Sequence, residues 1–111
     1  MSWEIYYYRT SRGDKVVERF ILKLDSSTRT KISRTIGLLK KYGSRLMMPY
    51  ARQVSNRLHE LRIKGTVEIR IFYIIVDENI FLLHAFQKKS QKIPHKELKL
   101  AQKRSNEIIL H

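Results

Sequence analysis

Cysteine is absent from this 111-residue chain. That excludes a disulfide framework and thiolate chemistry, and it fits a reducing cytosol. Proline occurs twice and glycine four times, with no Gly-rich run of the kind that cradles phosphates and no linker. No stretch approaches the ~18 apolar residues needed to span a bilayer, and no amino-terminal segment couples a basic start to a long apolar run. A soluble, cytoplasmic protein is therefore expected, with no membrane partner. Acidic residues are the scarcest charge: Asp+Glu 10 stand against Lys+Arg 23, a formal net charge of +13. The few acids are too scattered for a hard-cation cage. The four histidines, His59, His84, His95 and His111, show no ligand spacing. No metal and no cofactor are expected, and no Ser or Cys nucleophile motif is present.

What is present is positive charge on a chain with enough apolar residues to fold. At 42% hydrophobic the sequence is not a disordered basic tail. One domain over residues 1–111 is expected, burying roughly two thirds of its unfolded-state surface. The charge points to a polyanion, and nucleic acid is the default, because each neutralised phosphate releases counterions. An anionic membrane is the weaker reading, since no Lys/Arg-rich segment carries the broad apolar face of an interfacial helix.

Trp3 to Arg9 is aromatic and β-favouring and reads as a strand. From Gly13 the period changes: Val16, Val17, Phe20, Ile21 and Leu24 share one helical face. Asp25-Ser26-Ser27 can cap a second helix with core residues Ile32, Ile36 and Leu39, stopped at Gly43. Residues 44–57 have weak periodicity, contain Pro49, and read as an irregular crossing segment. Three strands follow, Leu58–Ile63, Val67–Val76 and Ile80–Gln87, and Pro94 opens a last helix. The predicted order is β-α-α-β-β-β-α, an α+β domain with helices on a small antiparallel sheet.

Strand register is constrained by burial, because a one-residue slip exchanges the two faces. A three-residue loop at Lys64-Gly65-Thr66, with Gly65 supplying a positive φ, sets Leu61 opposite Ile69 and Ile63 opposite Val67. It also sets Glu60 opposite Arg70 and Arg62 opposite Glu68, so one face is apolar and the other carries ion pairs. A three-residue turn at Asp77-Glu78-Asn79 continues that polar face to His84, Phe86 and Lys88.

The candidate chemistry gathers on this polar face. RNA can be cut without metal when its 2′-hydroxyl attacks the adjacent phosphate. That reaction needs a base, cations for the growing phosphate charge, and an acid for the leaving 5′-oxygen. Arg62 and Arg70 suit the phosphate through their planar forks. Lys88 and Lys89 can act as point charges or proton carriers, and His84, Tyr73 and Glu60 are candidate acids or bases. Arg57, Lys64, Gln91 and Lys92 are candidate RNA-binding residues. Each has a plainer alternative: Arg70–Glu60 and Arg62–Glu68 as cross-strand ion pairs, His84 as a hydrogen-bonded sheet residue, the lysines as a solvated edge. Tyr6, Tyr7 and Tyr8 read as packing residues.

Three segments resemble the HigB-type toxins of the RelE/ParE superfamily, in the branch with phage-derived members. They are Leu58-His59-Glu60-Leu61-Arg62, then Arg70-Ile71-Phe72-Tyr73, then Leu82 through Pro94 (LLHAFQKKSQKIP) leading to Glu97 and Ala101. Ile69, Ala85 and Ser90 depart from that pattern, where an aromatic, Gly and Thr are common. The resemblance implies a RelE-like fold and a toxin of a type II toxin–antitoxin pair that cleaves mRNA on the ribosome. Its implied partners are ribosome, mRNA and a HigA-like helix-turn-helix antitoxin, with which it would form a hetero-oligomer. The cationic pocket carries over to Arg62, Arg70, Lys88 and Lys89, with Glu60, Tyr73 and His84 as further members. Two other classes stay open: a ParE-like inhibitor of DNA gyrase, and an RNA-binding module without chemistry.

Overall fold

The computed structural model describes residues 2–92 and 94–110. Met1, His111 and Ile93, the last within the third segment above, lie outside the described residues. The chain runs β1 (Glu4–Tyr7), α1 (Val16–Leu22), α2 (Ser26–Tyr42), a 3-10 turn (Gly43–Arg45), β2 (Ala51–Ser55), β3 (Leu58–Ile63), β4 (Ile69–Val76), β5 (Asn79–Gln87) and α3 (His95–Ile109). The α+β class holds, with two corrections to the predicted sheet. It has five strands rather than four, in the order β1-β5-β4-β3-β2, and it is mixed, because β1 pairs parallel with β5.

The segment expected to be irregular supplies the extra strand. β2 pairs antiparallel with β3 at the sheet edge, and its Arg52 and Gln53 are both exposed. An edge strand with two consecutive exposed residues lacks the alternation by which a half-buried strand is recognised.

The sheet separates two cores. Leu61, Ile63, Ile69, Ile71, Tyr73, Ile80, Leu82 and Ala85 pack with Val17, Ile32 and Leu39 of α1 and α2. Leu58, Phe72, Ile74, Leu83 and Phe86 pack with Ala101 of α3, with Leu98 and Ile108 against them. The first core depends on a close approach at Gly43 (φ 53°), where α2 ends. A Cβ there would lie 1.9 Å from the Trp3 ring, so only glycine serves as both helix stop and ring seat.

Between β3 and β4 the register departs from expectation by a whole side-chain period, so the faces survive. Ile63 pairs with Ile69, Leu61 with Ile71 and Arg62 with Arg70, making 64–68 a five-residue connection, and Gly65 is not among the positive-φ glycines. A shift of two keeps every side chain on its predicted face while changing its partner. The β4–β5 turn, by contrast, is shorter than expected. Val76 pairs with Asn79, leaving Asp77-Glu78 as the turn with Asp77 at φ 57°. The register then shifts by one between Phe72 and Tyr73, so that Tyr73 pairs with Leu82 but Phe72 with His84. This bulge absorbs one residue and restores the anticipated pairing of Arg70 with Phe86.

Candidate functional site

The α3-facing side of the sheet is covered over one half only. Beyond Phe72 and Phe86 the strands carry ionic side chains, and their centre is Glu60 on β3. Its side chain is 0% exposed, and Arg52 of β2 donates to its Oε1 from Nε at 3.1 Å. Arg62 Nε lies 3.7 Å and Arg70 Nε 3.6 Å from the same oxygen. Three adjacent strands thus aim guanidinium groups at one carboxylate. Exposure rises outward, from 1% at Arg70 through 13% at Arg62 to 42% at Arg52. Arg70 also reaches Glu68 Oε2 at 3.3 Å. Glu60 Oε2, Arg62 Nε and Arg70 Nε have no hydrogen-bond partner among the described residues.

Burying a lone carboxylate is costly, and one beside three cations is the arrangement that tolerates burial. The network therefore holds excess positive charge in a fixed place. Arg70 anchors it from beneath, while Arg62 and Arg52 meet solvent.

A second constellation sits where β5 meets α3. The bulge puts Leu83 and His84 on the same face, beneath the helix. His84 Nε2 lies 2.7 Å from Glu97 Oε1, so it carries the proton and donates. Nδ1 faces Arg104 Nη1 at 3.4 Å and accepts, and the same Nη1 donates to the Leu83 carbonyl at 2.9 Å. Burial lowers the His84 pKa, Glu97 raises it and Arg104 lowers it again, for a net fall. The ring is thus neutral and fixed in one tautomer, with both nitrogens engaged by α3. It stacks on Phe86 with centroids 5.7 Å apart. A cavity of about 600 Å3 opens beside it, lined by His84, Phe86, Gln87, Lys89, Ser90 and Glu97 among others.

The two constellations share a sheet face two strand spacings apart, about 10 Å from β3 to β5.

Residues 19–106 match the family model described as phage derived protein Gp49-like (DUF891). The chain belongs to that family. Gp49-like proteins are a family of RelE/HigB-like toxins, which makes toxin of a toxin–antitoxin pair, with an antitoxin partner, the coarse functional reading. No curated protein matches the sequence. No helix among the described residues is long and apolar enough to cross a membrane, and no three His, Cys, Asp or Glu side chains gather there.

In this Gp49-like chain the expected site residues divide as follows. Glu60, Arg62 and Arg70 come together, and Lys88 adjoins them, its backbone N–H bonded to the Glu68 carbonyl at 2.8 Å. Arg62 was expected opposite Glu68 and Arg70 opposite Glu60; instead Arg62 pairs with Arg70, and Glu60 mediates between them. Lys89 lines the His84 cavity. Gln91 and Lys92 are exposed in the following loop, where Ser90 donates to the Lys92 carbonyl at 3.1 Å. Tyr73 lies on the opposite face, buried in the α1–α2 core and stacked on His59 at 5.2 Å. Burial pushes its hydroxyl up to about 12. Arg57 occupies the β2–β3 turn at φ 69°, about 17 Å along β3 from Arg62. Lys64 stands on the loop after β3, toward α2.

Two residues of these constellations have no place in the sequence-based expectations. Arg52 was hidden because β2 was not recognised. Arg104 lies on α3, 20 residues from His84, and only the helix docking reveals the contact. Its spacing from Glu97 was a usable signal: residues seven apart lie two helical turns along the same face.

Proposed function

We propose that this Gp49-like toxin is a ribosome-dependent mRNA endoribonuclease, cutting by 2′-hydroxyl attack and restrained by a helix-turn-helix antitoxin. The observation that carries this reading is the convergence of Arg52, Arg62 and Arg70 on the single buried carboxylate of Glu60. Attack at phosphorus builds negative charge on the non-bridging oxygens. Cations held in position before the reaction meet that charge without reorganising.

Arg62 and Arg52, the exposed members, take the phosphate. Arg70 is a positioning residue, acting through Glu60. Lys88 and Lys89 hold the backbone on either side, since the 10 Å between the two constellations suits neighbouring positions on one RNA strand. One of them is the proton carrier, taking the 2′-hydroxyl proton as the 2′-oxygen bonds to phosphorus and returning it to the departing 5′-oxygen. His84, with both nitrogens taken, fixes the β5–α3 corner beside the cavity.

The test is primer extension on message bound to programmed ribosomes. The Arg62→Ala variant should cleave about a hundredfold more slowly, a loss of about 3 kcal/mol, with its thermal unfolding little changed. A folded Arg62→Ala protein that cleaves at the wild-type rate defeats the assignment. Supercoiling assays on the same preparation decide against the gyrase alternative if DNA gyrase is unaffected.

A further inference from the structure

A second cation cluster adjoins the Glu60 network at Arg62. Lys31 and Arg34 of α2, Lys64 of the β3–β4 loop and Arg62 at the end of β3 line a cavity of about 300 Å3, together with Tyr50 and Pro49. No acidic residue lines it. Among the described residues, Lys31, Arg34 and Lys64 form no ion pair. In a folded protein such a group repels itself unless an anion is supplied from outside.

The position of Lys31 is set by the loop. A Cβ at Gly65 would come within 2.7 Å of its Nζ, so the ammonium rests against the loop backbone, bridging α2 and the end of β3. Arg34 and Thr35 follow at three and four residues, on the same helical side. Tyr50 is 44% exposed, and its carbonyl accepts from the Arg62 N–H at 2.7 Å. An aromatic ring on the wall of a cationic cavity is the arrangement that holds unpaired bases: the cations follow the phosphates and the ring takes a base face. The volume is at the low end for ligand sites, sized for one nucleotide and too small for a duplex.

We propose that this cavity is a nucleotide subsite for single-stranded RNA. Tyr50 stacks one base, and Lys31, Arg34 and Lys64 neutralise the adjoining phosphates. As the substrate path of the nuclease it rests on the function proposed above, because Arg62 lines this cavity while its guanidinium belongs to the Glu60 network, so the residue would join this nucleotide to the reacting phosphate. RNA binding itself does not depend on cleavage.

The experiment is fluorescence anisotropy of a labelled ten-nucleotide single-stranded RNA, titrated with full-length protein over a range of salt. The Lys31→Ala/Arg34→Ala double variant should bind more weakly. Its salt dependence should be shallower by about 1.4 in log–log slope, since each neutralised single-strand phosphate contributes about 0.7. Tyr50→Ala should lose about tenfold in affinity and Tyr50→Phe should recover it. Lys99→Ala/Lys103→Ala, two exposed lysines of α3, should bind like wild type. If that pair weakens binding as much as the Lys31/Arg34 pair, the effect is net charge alone and the subsite is overturned. It is also overturned if polyglutamate displaces RNA at equal charge concentration, which would mark a surface for an acidic peptide. A wild type that never cleaves message yet binds RNA through these residues ends the nuclease reading and leaves the subsite standing. A cleaving protein whose RNA affinity ignores Lys31, Arg34 and Tyr50 does the reverse.

Discussion

The two faces of the sheet are built from alternate residues of the same strands, yet they solve different problems. Leu61, Ile69 and Ile71 face α1 and α2 and are sealed in hydrocarbon. Their neighbours Glu60, Arg62 and Arg70 face the other way, where α3 covers only the Phe72–Phe86 half and ionic groups fill the rest. One face is held by area removed from water. The other is held by charge balance around a buried carboxylate, an arrangement with little net stability to offer. A fold that keeps so costly a cluster beside an apolar core is using it for something other than stability.

The largest expected effect tests that contrast on adjacent residues of β3. Glu60→Ala leaves the buried Arg70 with only the half-exposed Glu68 as counter-charge and should cost about 3–5 kcal/mol. Leu61→Ala should cost about 2–5 kcal/mol through lost burial and a cavity. The two are distinguished by salt in urea unfolding. The Glu60→Ala deficit should shrink at 1 M NaCl, because repulsion among Arg52, Arg62 and Arg70 is then screened. The Leu61→Ala deficit should not. Equal salt responses would mean the Glu60 network is not electrostatic in origin.

Next in size is Tyr73, on the sealed face. Its hydroxyl, pushed up to about 12, keeps its proton in the folded state longer than in the unfolded chain, whose phenol ionises near 10. The folded state therefore binds more protons above pH 10, and stability falls as pH rises from there toward 12, by as much as about 3 kcal/mol. Tyr73→Phe should flatten that alkaline loss in denaturant titrations. It should also leave message cleavage within about twofold of wild type if the reacting phosphate is held on the α3 face. A large drop in cleavage by a stable Tyr73→Phe protein would move chemistry to the sealed face.

The same contrast explains what the sequence reveals. The apolar face is legible because its periods are unbroken: Ile32 and Leu39 on α2, and Leu61, Ile63, Ile69 and Ile71 on the strands, are all buried as their spacing predicts. The charged face is legible only in membership. Glu60, Arg62 and Arg70 share a face under any register that differs by two, so the pattern specifies the side but not the partner. The loop at 64–68 decides the partner, and loop length leaves no periodic trace. β2 went unread for a related reason, its exposed Arg52–Gln53 pair carrying no alternation. The parallel pairing of β1 with β5 joins residues some 75 apart, as in Ile5 with Ile80, and nothing local to either strand records it. His84 was visible as a candidate. Its engagement by Glu97 and Arg104 depends on a one-residue bulge and on where α3 lands.

The smallest effect concerns the two histidines that flank the sheet. His59 stacks on Tyr73 on the sealed side, and burial alone lowers its pKa. Burial lowers that of His84 as well, but Glu97 pulls it partly back. Both titrate below the unfolded value of about 6.5, so between those pKa values the unfolded chain binds more protons. Their contribution to stability is complete above about pH 6.5 and is lost as pH falls. Removing the carboxylate sharpens the difference. In Glu97→Gln the His84 ring should titrate at lower pH than in wild type, followed by its Cε1 proton resonance, while His59 should not move. The acid loss of stability should grow accordingly, because the folded state then resists protonation more strongly. If His84 instead titrates higher without Glu97, the carboxylate is not its partner in solution, and the α3 corner that borders the Lys89 cavity is held by something else.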